Sequence, residues 1–239
     1  MKCISNCMNR IVFLIVSLFL LASCASEYQI NGNSTVSRLD GKMLFIKGLK
    51  NNEMVKVDSA EVVHGLFSMN GPVDSVYMAS LYMDEQNIMP FVIEDGDIQM
   101  NIEAARITVS GTPLNDCLYE FIRKKSSLDD RAYEVERMES RMIMDGMSEE
   151  EIQMQIKKER ETLTNEMNAL AKEFVQANYE NVLGPGVFIM LCNSFPYPVI
   201  TPIVEEIVNE APQSFQNHPM IVEYMKVARE NMEKLKEQK

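Results

Sequence analysis

The chain predicts an α+β fold: an N-terminal antiparallel β-sandwich or small barrel at residues 24–111, then a helical region at 112–239 containing a long helical hairpin. Three observations carry this. Short β-branched and apolar runs alternate with turn formers as far as Gly111. From Pro113 onward, apolar residues recur at spacings of three, four and seven, the period of a helix with one buried face. Asp145-Gly146 then separates two such stretches, each long enough to fold back on the other. With 46% hydrophobic and 24% charged residues, the composition is that of an ordinary globular chain, and 239 residues allow one or two compact domains.

In the first region, Met43-Leu44-Phe45-Ile46, Met54 to Val63, Val76 to Met83, Phe91-Val92-Ile93 and Ile98 to Ile102 read as strands. Val55 and Val57, and Gln99 and Asn101, show the alternation of strands with one buried face. Asn31-Gly32, Asp40-Gly41, Gly71-Pro72 and Asp95-Gly96 punctuate the runs as turns. Asp95-Gly96 predicts a tight hairpin, since both central positions of that turn need positive φ.

Pro113 suits a helix start, where its missing N–H costs nothing. Leu114, Leu118, Phe121, Leu128, Val135, Met138 and Met142 form the stripe of the first helix. Ser148-x-x-Glu151 is a capping box that opens the second, which runs on Ile152, Ile156, Leu163, Met167, Leu170 and Phe174 to about Tyr179. A helix from Pro185 through Leu191 is apolar all round and therefore central. Pro196, Pro198 and Pro202 make the next stretch irregular, and Ile203 to Val208 and Pro219 to Lys236 read as two further helices.

Residues 1–23 read as a signal peptide. Lys2 and Arg10 form a basic flank, and Ile11 to Leu21 an apolar run broken only by Ser17. That run is shorter than the roughly 20 residues needed to span a bilayer. Leu21-Ala22-Ser23-Cys24 resembles the lipobox of bacterial lipoproteins. The resemblance implies cleavage before Cys24 and acylation of that residue. One acyl chain binds a membrane only marginally, at about 0.8 kcal/mol per buried methylene, so several chains on one residue make a firm anchor. Ala25, rather than Asp, follows the cysteine, which by the same resemblance implies outer-membrane sorting. Ala25-Ser26-Glu27 lacks the acidic run that sends some lipoproteins to the cell surface, so the periplasmic face is expected.

Loss of residues 1–23 removes Lys2 and Arg10 and no acid, taking the formal charge from -12 to -14. So acidic a body is unsuited to gripping phosphates, and no nucleic-acid partner is expected. It is also repelled by anionic headgroups, which leaves the anchoring to the lipid.

Tyr28-Gln29-Ile30-Asn31-Gly32, Val57-Asp58-Ser59, Gly65 to Gly71, Phe91 to Gly96 and Val109 to Asn115 occur in an order that resembles a known family. The family is an N-terminal domain of unknown function in Bacteroidetes envelope lipoproteins, often placed ahead of a TlpA-like thioredoxin fold in thiol-disulfide oxidoreductases. Asn181 to Gly184 and His218-Pro219 resemble the helical connector that follows it. The thioredoxin W-C-x-x-C motif, in which one lowered-pKa thiolate attacks, has no counterpart in this sequence, so the redox activity does not carry over.

Five cysteines occur; Cys3 and Cys7 leave with the signal, and Cys24 carries the lipid. Cys117 and Cys192 remain, and two readings stand: a disulfide in an oxidising periplasm, or two small buried apolar side chains. His64 and His218 lie in no metal-ligand spacing, and no metal site is expected. Glu94, Asp95 and Asp97 read as a solvated turn rather than a calcium loop. Asp58-Ser59-Ala60 and Asp74-Ser75-Val76 resemble an O-glycosylation motif of Bacteroidetes envelope proteins, with Ser59 and Ser75 as acceptors; serines in or beside a strand are the other reading. Nineteen methionines occur, with 138, 142, 144, 147 and 154 crowding the hairpin, and they suit core packing better than a Cu(I) site.

The expected function is a non-catalytic, lipid-anchored envelope protein without a cofactor. It would bind a protein partner through the β domain or the helical hairpin, as an accessory to thiol-disulfide redox proteins. The alternatives are a redox participant using Cys117 and Cys192, or a methionine-based Cu(I) carrier.

Overall fold

Alternation of inward apolar and outward polar residues drives the first half of the chain into strands. The structure, a computed structural model, describes residues 26–50 and 53–237. The signal segment and Cys24 lie outside the described residues. Eight strands occur among those described: β1 (Glu27–Ser34), β2 (Met43–Lys50), β3 (Glu53–Glu61), β4 (Leu66–Pro72), β5 (Tyr77–Met83), β6 (Gln86–Ile93), β7 (Gly96–Ile102) and β8 (Ile107–Ser110). They form two four-stranded sheets, ordered β4-β1-β7-β8 and β3-β2-β5-β6. The arrangement is a sandwich, not a barrel. Tyr28, Ile30, Phe67, Met69, Ile98, Met100 and Val109 face Leu44, Ile46, Ala79, Leu81, Phe91 and Ile93 across one core.

The pairing departs from the sequence reading at three places. β1 pairs β4 antiparallel but β7 parallel, in the register Tyr28↔Gly96 to Ser34↔Ile102. The cause is Asp95-Gly96, which closes no hairpin. It carries the chain from the end of β6 in one sheet to the start of β7 in the other, so β7 sets out from the same pole as β1. Asn31-Gly32 is no turn either; it lies inside β1. Gly32 sits opposite Phe67, and a Cβ there would fall 2.0 Å from the ring. The glycine is the hole into which the aromatic ring lies. Gly71 likewise belongs to β4 and faces its pair partner Tyr28. Among the described residues, tight turns fall at Asp40-Gly41, as the sequence reads, with Gly41 at positive φ and Lys42 N–H donating to Leu39 C=O at 3.0 Å; at His64-Gly65, both at positive φ and bracketed by the Val63↔Leu66 bridge; and at Asp84-Glu85, between the paired Met83 and Gln86.

Six helices follow among the described residues: α1 (Pro113–Met144), α2 (Glu149–Ala177), α3 (Leu183–Cys192), α4 (Pro202–Glu210), the single turn α5 (Gln213–Gln216) and α6 (Pro219–Glu237). The Ser148–Glu151 capping box is formed, with the serine hydroxyl accepting from the Glu151 amide and the glutamate accepting from the Ser148 amide. α3 is buried from Leu183 to Phe188, as its all-apolar sequence requires, and Gly186 presses on Met78 of β5. Phe188 stacks edge-on with Phe215 and Tyr224, and Tyr179 with Phe215. Lys172 of α2 bridges Glu206 and Glu210 of α4. The helical base and the sandwich thus share one continuous core across Gly111.

Candidate functional site

The first arrangement that sequence reading missed is the joint between sandwich and helices. Glu94 is buried, not solvated. Its Oε1 accepts from the amides of Leu114 (2.9 Å) and Asn115 (3.0 Å), capping α1 from a different element, while Thr112 at the N-cap position makes no side-chain cap of its own. A carboxylate there also meets the positive end of the helix dipole. Asn115 is fully buried and acts on β6 as a neighbouring strand would. Its Oδ1 accepts from Val92 N–H (2.8 Å), and its Nδ2 donates to Val92 C=O (2.9 Å) and to Thr112 Oγ1 (2.9 Å). One helical turn on, the Tyr119 hydroxyl donates to Pro90 C=O at 3.0 Å. Four helical residues rise about 6 Å and two strand residues about 6.7 Å, so the periods match and α1 runs along β6, sealing an otherwise open edge.

That joint sets the direction of the second arrangement, a projecting arm. α1 starts at the pole where β1 begins and runs to the opposite pole, where Ile122, Ser126 and Asp130 stand beside Ile88 and Glu103–Ile107. Arg131 to Met144 continue for about 21 Å, and α2 brings the chain back. The arm has its own small core of Val135, Met142, Ile152, Ile156 and Leu163, with Leu128, Met138 and Met147 against it; this cluster is separate from the main one. Arg131 and Glu166 make a two-pronged ion pair across the two helices near the body end of the arm. Tyr133 is exposed near the base of the arm, and Ile143, Met144 and Met154 at and near its tip, Met144 to 86% and Met154 to 69%. Large apolar side chains on a two-helix arm with so narrow a core are available to a partner.

The third arrangement is a cleft of about 490 Å³ at the pole where β1 enters, between edge strands β3 and β4. It brings together both Asp-Ser motifs: Asp58, Asp74 and Ser75 line it with Tyr28, Tyr77, Lys56 and Val57. The Tyr28 hydroxyl donates to Asp58 at 3.2 Å, and burial with the Asp58 charge holds its pKa well above the ordinary phenol value. Ser75 is exposed; Ser59 is half-buried in β3, its amide tied to Asp58 Oδ1 at 2.7 Å.

The structure does not bring the two thiols together. Cys117 and Cys192 are both free. Cys117 sits half-buried with Phe121, Leu170 and Phe174, and burial and Glu120 raise its pKa. Cys192 is buried at the end of α3 beside Tyr224, and burial pushes its pKa up to about 12. Both shifts oppose thiolate formation, the reverse of what a redox nucleophile needs. In the folded protein Cys192 is expected to resist a maleimide reagent while Cys117 reacts slowly, and both should label at once in urea. Fast native labelling of Cys192, or a bond between the two on non-reducing peptide mapping, would restore the redox reading.

The histidines lie apart. His64 is exposed in its turn; His218 is half-buried at the start of α6, its Nδ1 accepting from the Met220 amide at 3.4 Å. Burial lowers the His218 pKa below 6.5. As pH falls past 6.5 the unfolded chain therefore takes up this proton before the folded one, and stability present above that pH declines. Thermal melts between pH 7.5 and 5.5 are expected to show this decline, reduced in His218→Asn, which keeps a cap but does not titrate; an equal decline in both proteins would refute it. The methionines divide between cores (Met69, Met89, Met100, Met142) and exposed positions (Met43, Met54, Met144, Met154). Among the described residues no three His, Cys, Asp or Glu side chains gather as a metal site.

The sandwich is closed by the first turns of α1, where Asn115 and Leu118 are buried in the core it shares with the helical base. Residues 28–118 match the family model of a domain of unknown function, DUF4369. The match covers the stretch from Tyr28 to Asn115 on which the resemblance to a domain of unknown function rests; it includes the buried Glu94–Asn115 contact, stops one residue before Tyr119, and leaves out the arm and the helical base. Comparison with curated proteins gives no match.

Proposed function

We propose that this is a non-catalytic envelope protein, anchored through a lipid on Cys24 at the periplasmic face of the outer membrane, which binds a protein partner on its helical arm. The observation that carries the reading is the arm itself. It leaves the body at the pole opposite the chain's entry into β1, holds its own core, and exposes Met144 and Met154 where a partner meets them first. No helix among the described residues is long and apolar enough to cross a membrane, which is compatible with a lipid as the anchor. The resemblance to domains that accompany thioredoxin folds favours a thiol-disulfide redox protein as the partner. A photo-crosslinking residue at Met144, activated in intact envelopes, should yield a discrete protein adduct, and the same residue at Val222 on α6 should not. Adducts from Val222 alone, or catalytic turnover of a thiol, ester or glycan by the purified chain, would overturn the reading.

A further inference from the structure

The pole where β1 enters carries a rim of exposed apolar side chains around the cleft mouth. Leu49 and Met54 face each other across the β2–β3 pair, Val57 follows on β3, and Val76 ends the loop after Pro72. The chain arrives at this same pole. Glu27 N–H donates to Asp95 Oδ1 at 2.8 Å, and Val73 N–H donates to Ser26 C=O at 2.8 Å. Position 24 is two residues from Ser26, so a lipid on Cys24 holds Ser26 within about 7 Å of the bilayer surface, even with the chain fully extended. A longer tether would let the body tumble; this one presses one pole against the lipid.

Exposed apolar residues alone do not single out this pole. Met43, Val63 and Leu66 form a comparable set at the opposite one. The tether distinguishes them, since the eight residues of β1 put about 26 Å between the poles. The chemistry of the near pole also indicates which surface it suits. Asp58, Asp74, Asp95 and Glu27 lie there with Lys56, so anionic headgroups are disfavoured and the contact is apolar with a neutral, zwitterionic surface. Resting on the proposed anchor at Cys24, we infer that Leu49, Met54, Val57 and Val76 form a membrane-seating rim that inserts into the headgroup region of a zwitterionic bilayer. The rim turns the Tyr28–Asp58 cleft toward the lipid and the helical arm away from it.

The sequence contains no tryptophan, so a single introduced one reports its own surroundings. Met54→Trp and Val76→Trp would place it on the rim, and Leu66→Trp at the far pole; Met54 (53%) and Leu66 (62%) are similarly exposed, so neither change disturbs the core. Each full chain, isolated from membranes in its processed form, is reconstituted into phosphatidylcholine vesicles with brominated acyl chains and floated on a density gradient. Both rim tryptophans are expected to shift to the blue and lose most of their emission to bromine, while the Leu66→Trp signal stays unquenched. Floating protein with unquenched rim tryptophans, or equal quenching at both poles, overturns the seating and leaves the anchor standing. Protein that does not float overturns the anchor, and the seating with it.

Discussion

Asn115→Ala is expected to destabilise the protein by about 3–5 kcal/mol, since it strands both backbone groups of Val92 in a buried strand edge at about 1–3 kcal/mol each and unpairs Thr112 Oγ1. The side chain cannot be replaced by a close relative. Asn115→Asp keeps an acceptor for Val92 N–H, but loses the donor for Val92 C=O and brings a second carboxylate to Glu94. It should therefore be at least as harmful as alanine. Glu94→Gln should be milder, because an amide oxygen still reaches the Leu114 and Asn115 amides and only the charge at the helix terminus is lost, about 1 kcal/mol. Urea unfolding ranks the three, and amide exchange at Val92 should accelerate most in Asn115→Ala. A loss within about 1 kcal/mol for Asn115→Ala, the worth of an ordinary hydrogen bond, would mean that the edge of β6 is not sealed by this residue.

Gly32→Ala is expected to cost about 3 kcal/mol, at or beyond the upper end for one added methyl group in a packed core. The new Cβ would lie 2.0 Å from Phe67 Cζ and 2.3 Å from both Cε atoms, so it meets the ring rather than the end of a flexible chain. Ring and methyl cannot share the site, and the ring must leave a position where it is 5% exposed. The mechanism has its own signature. In a Phe67→Leu background, where the ring is already gone, the alanine should cost much less, so the two changes are strongly non-additive. Equal costs of Gly32→Ala in both backgrounds would place the effect in the backbone of β1 instead.

Local signals were legible, and signals that depend on a distant partner were not. The capping box at Ser148 and Glu151, the break at Asp145-Gly146 and the start at Pro113 are contained within a few residues, and each helix boundary falls there. Asn31-Gly32 has the composition of a turn, but its role is set by Phe67, which only the folded register brings opposite. Glu94 stands in a run of acids with Asp95 and Asp97 and has no local mark of burial; the amides it caps lie twenty and twenty-one residues away. The turn at Asp84-Glu85 lacks glycine, because Asp84 itself adopts positive φ, which aspartate tolerates better than most residues. Parallel pairing of β1 with β7 follows from which sheet receives the chain after β6, a choice made by the whole core and not by Asp95-Gly96. Of the candidate site, the hairpin could be read and its direction could not, since the direction depends on Asn115 and Tyr119 finding β6.

In the proposed reading, a body seated at one pole with an arm held out at the other divides anchoring from recognition. That division has a physical counterpart in the fold. The arm's core and the main core are separate, and the arm's two helices converge again where Ser127 and Leu128 stand beside Glu166 and Leu170. The body should therefore survive without the distal arm. Replacing residues 129–165 with a short Gly-Ser turn, and treating intact envelopes that hold either chain with a diffusible lysine-reactive crosslinker whose sites remain on the body of both, tests this most directly. A chain that stays folded and envelope-bound but no longer yields the adduct seen with the intact protein is the expected result. An unchanged adduct from the armless chain would place recognition elsewhere on the molecule and end the present account.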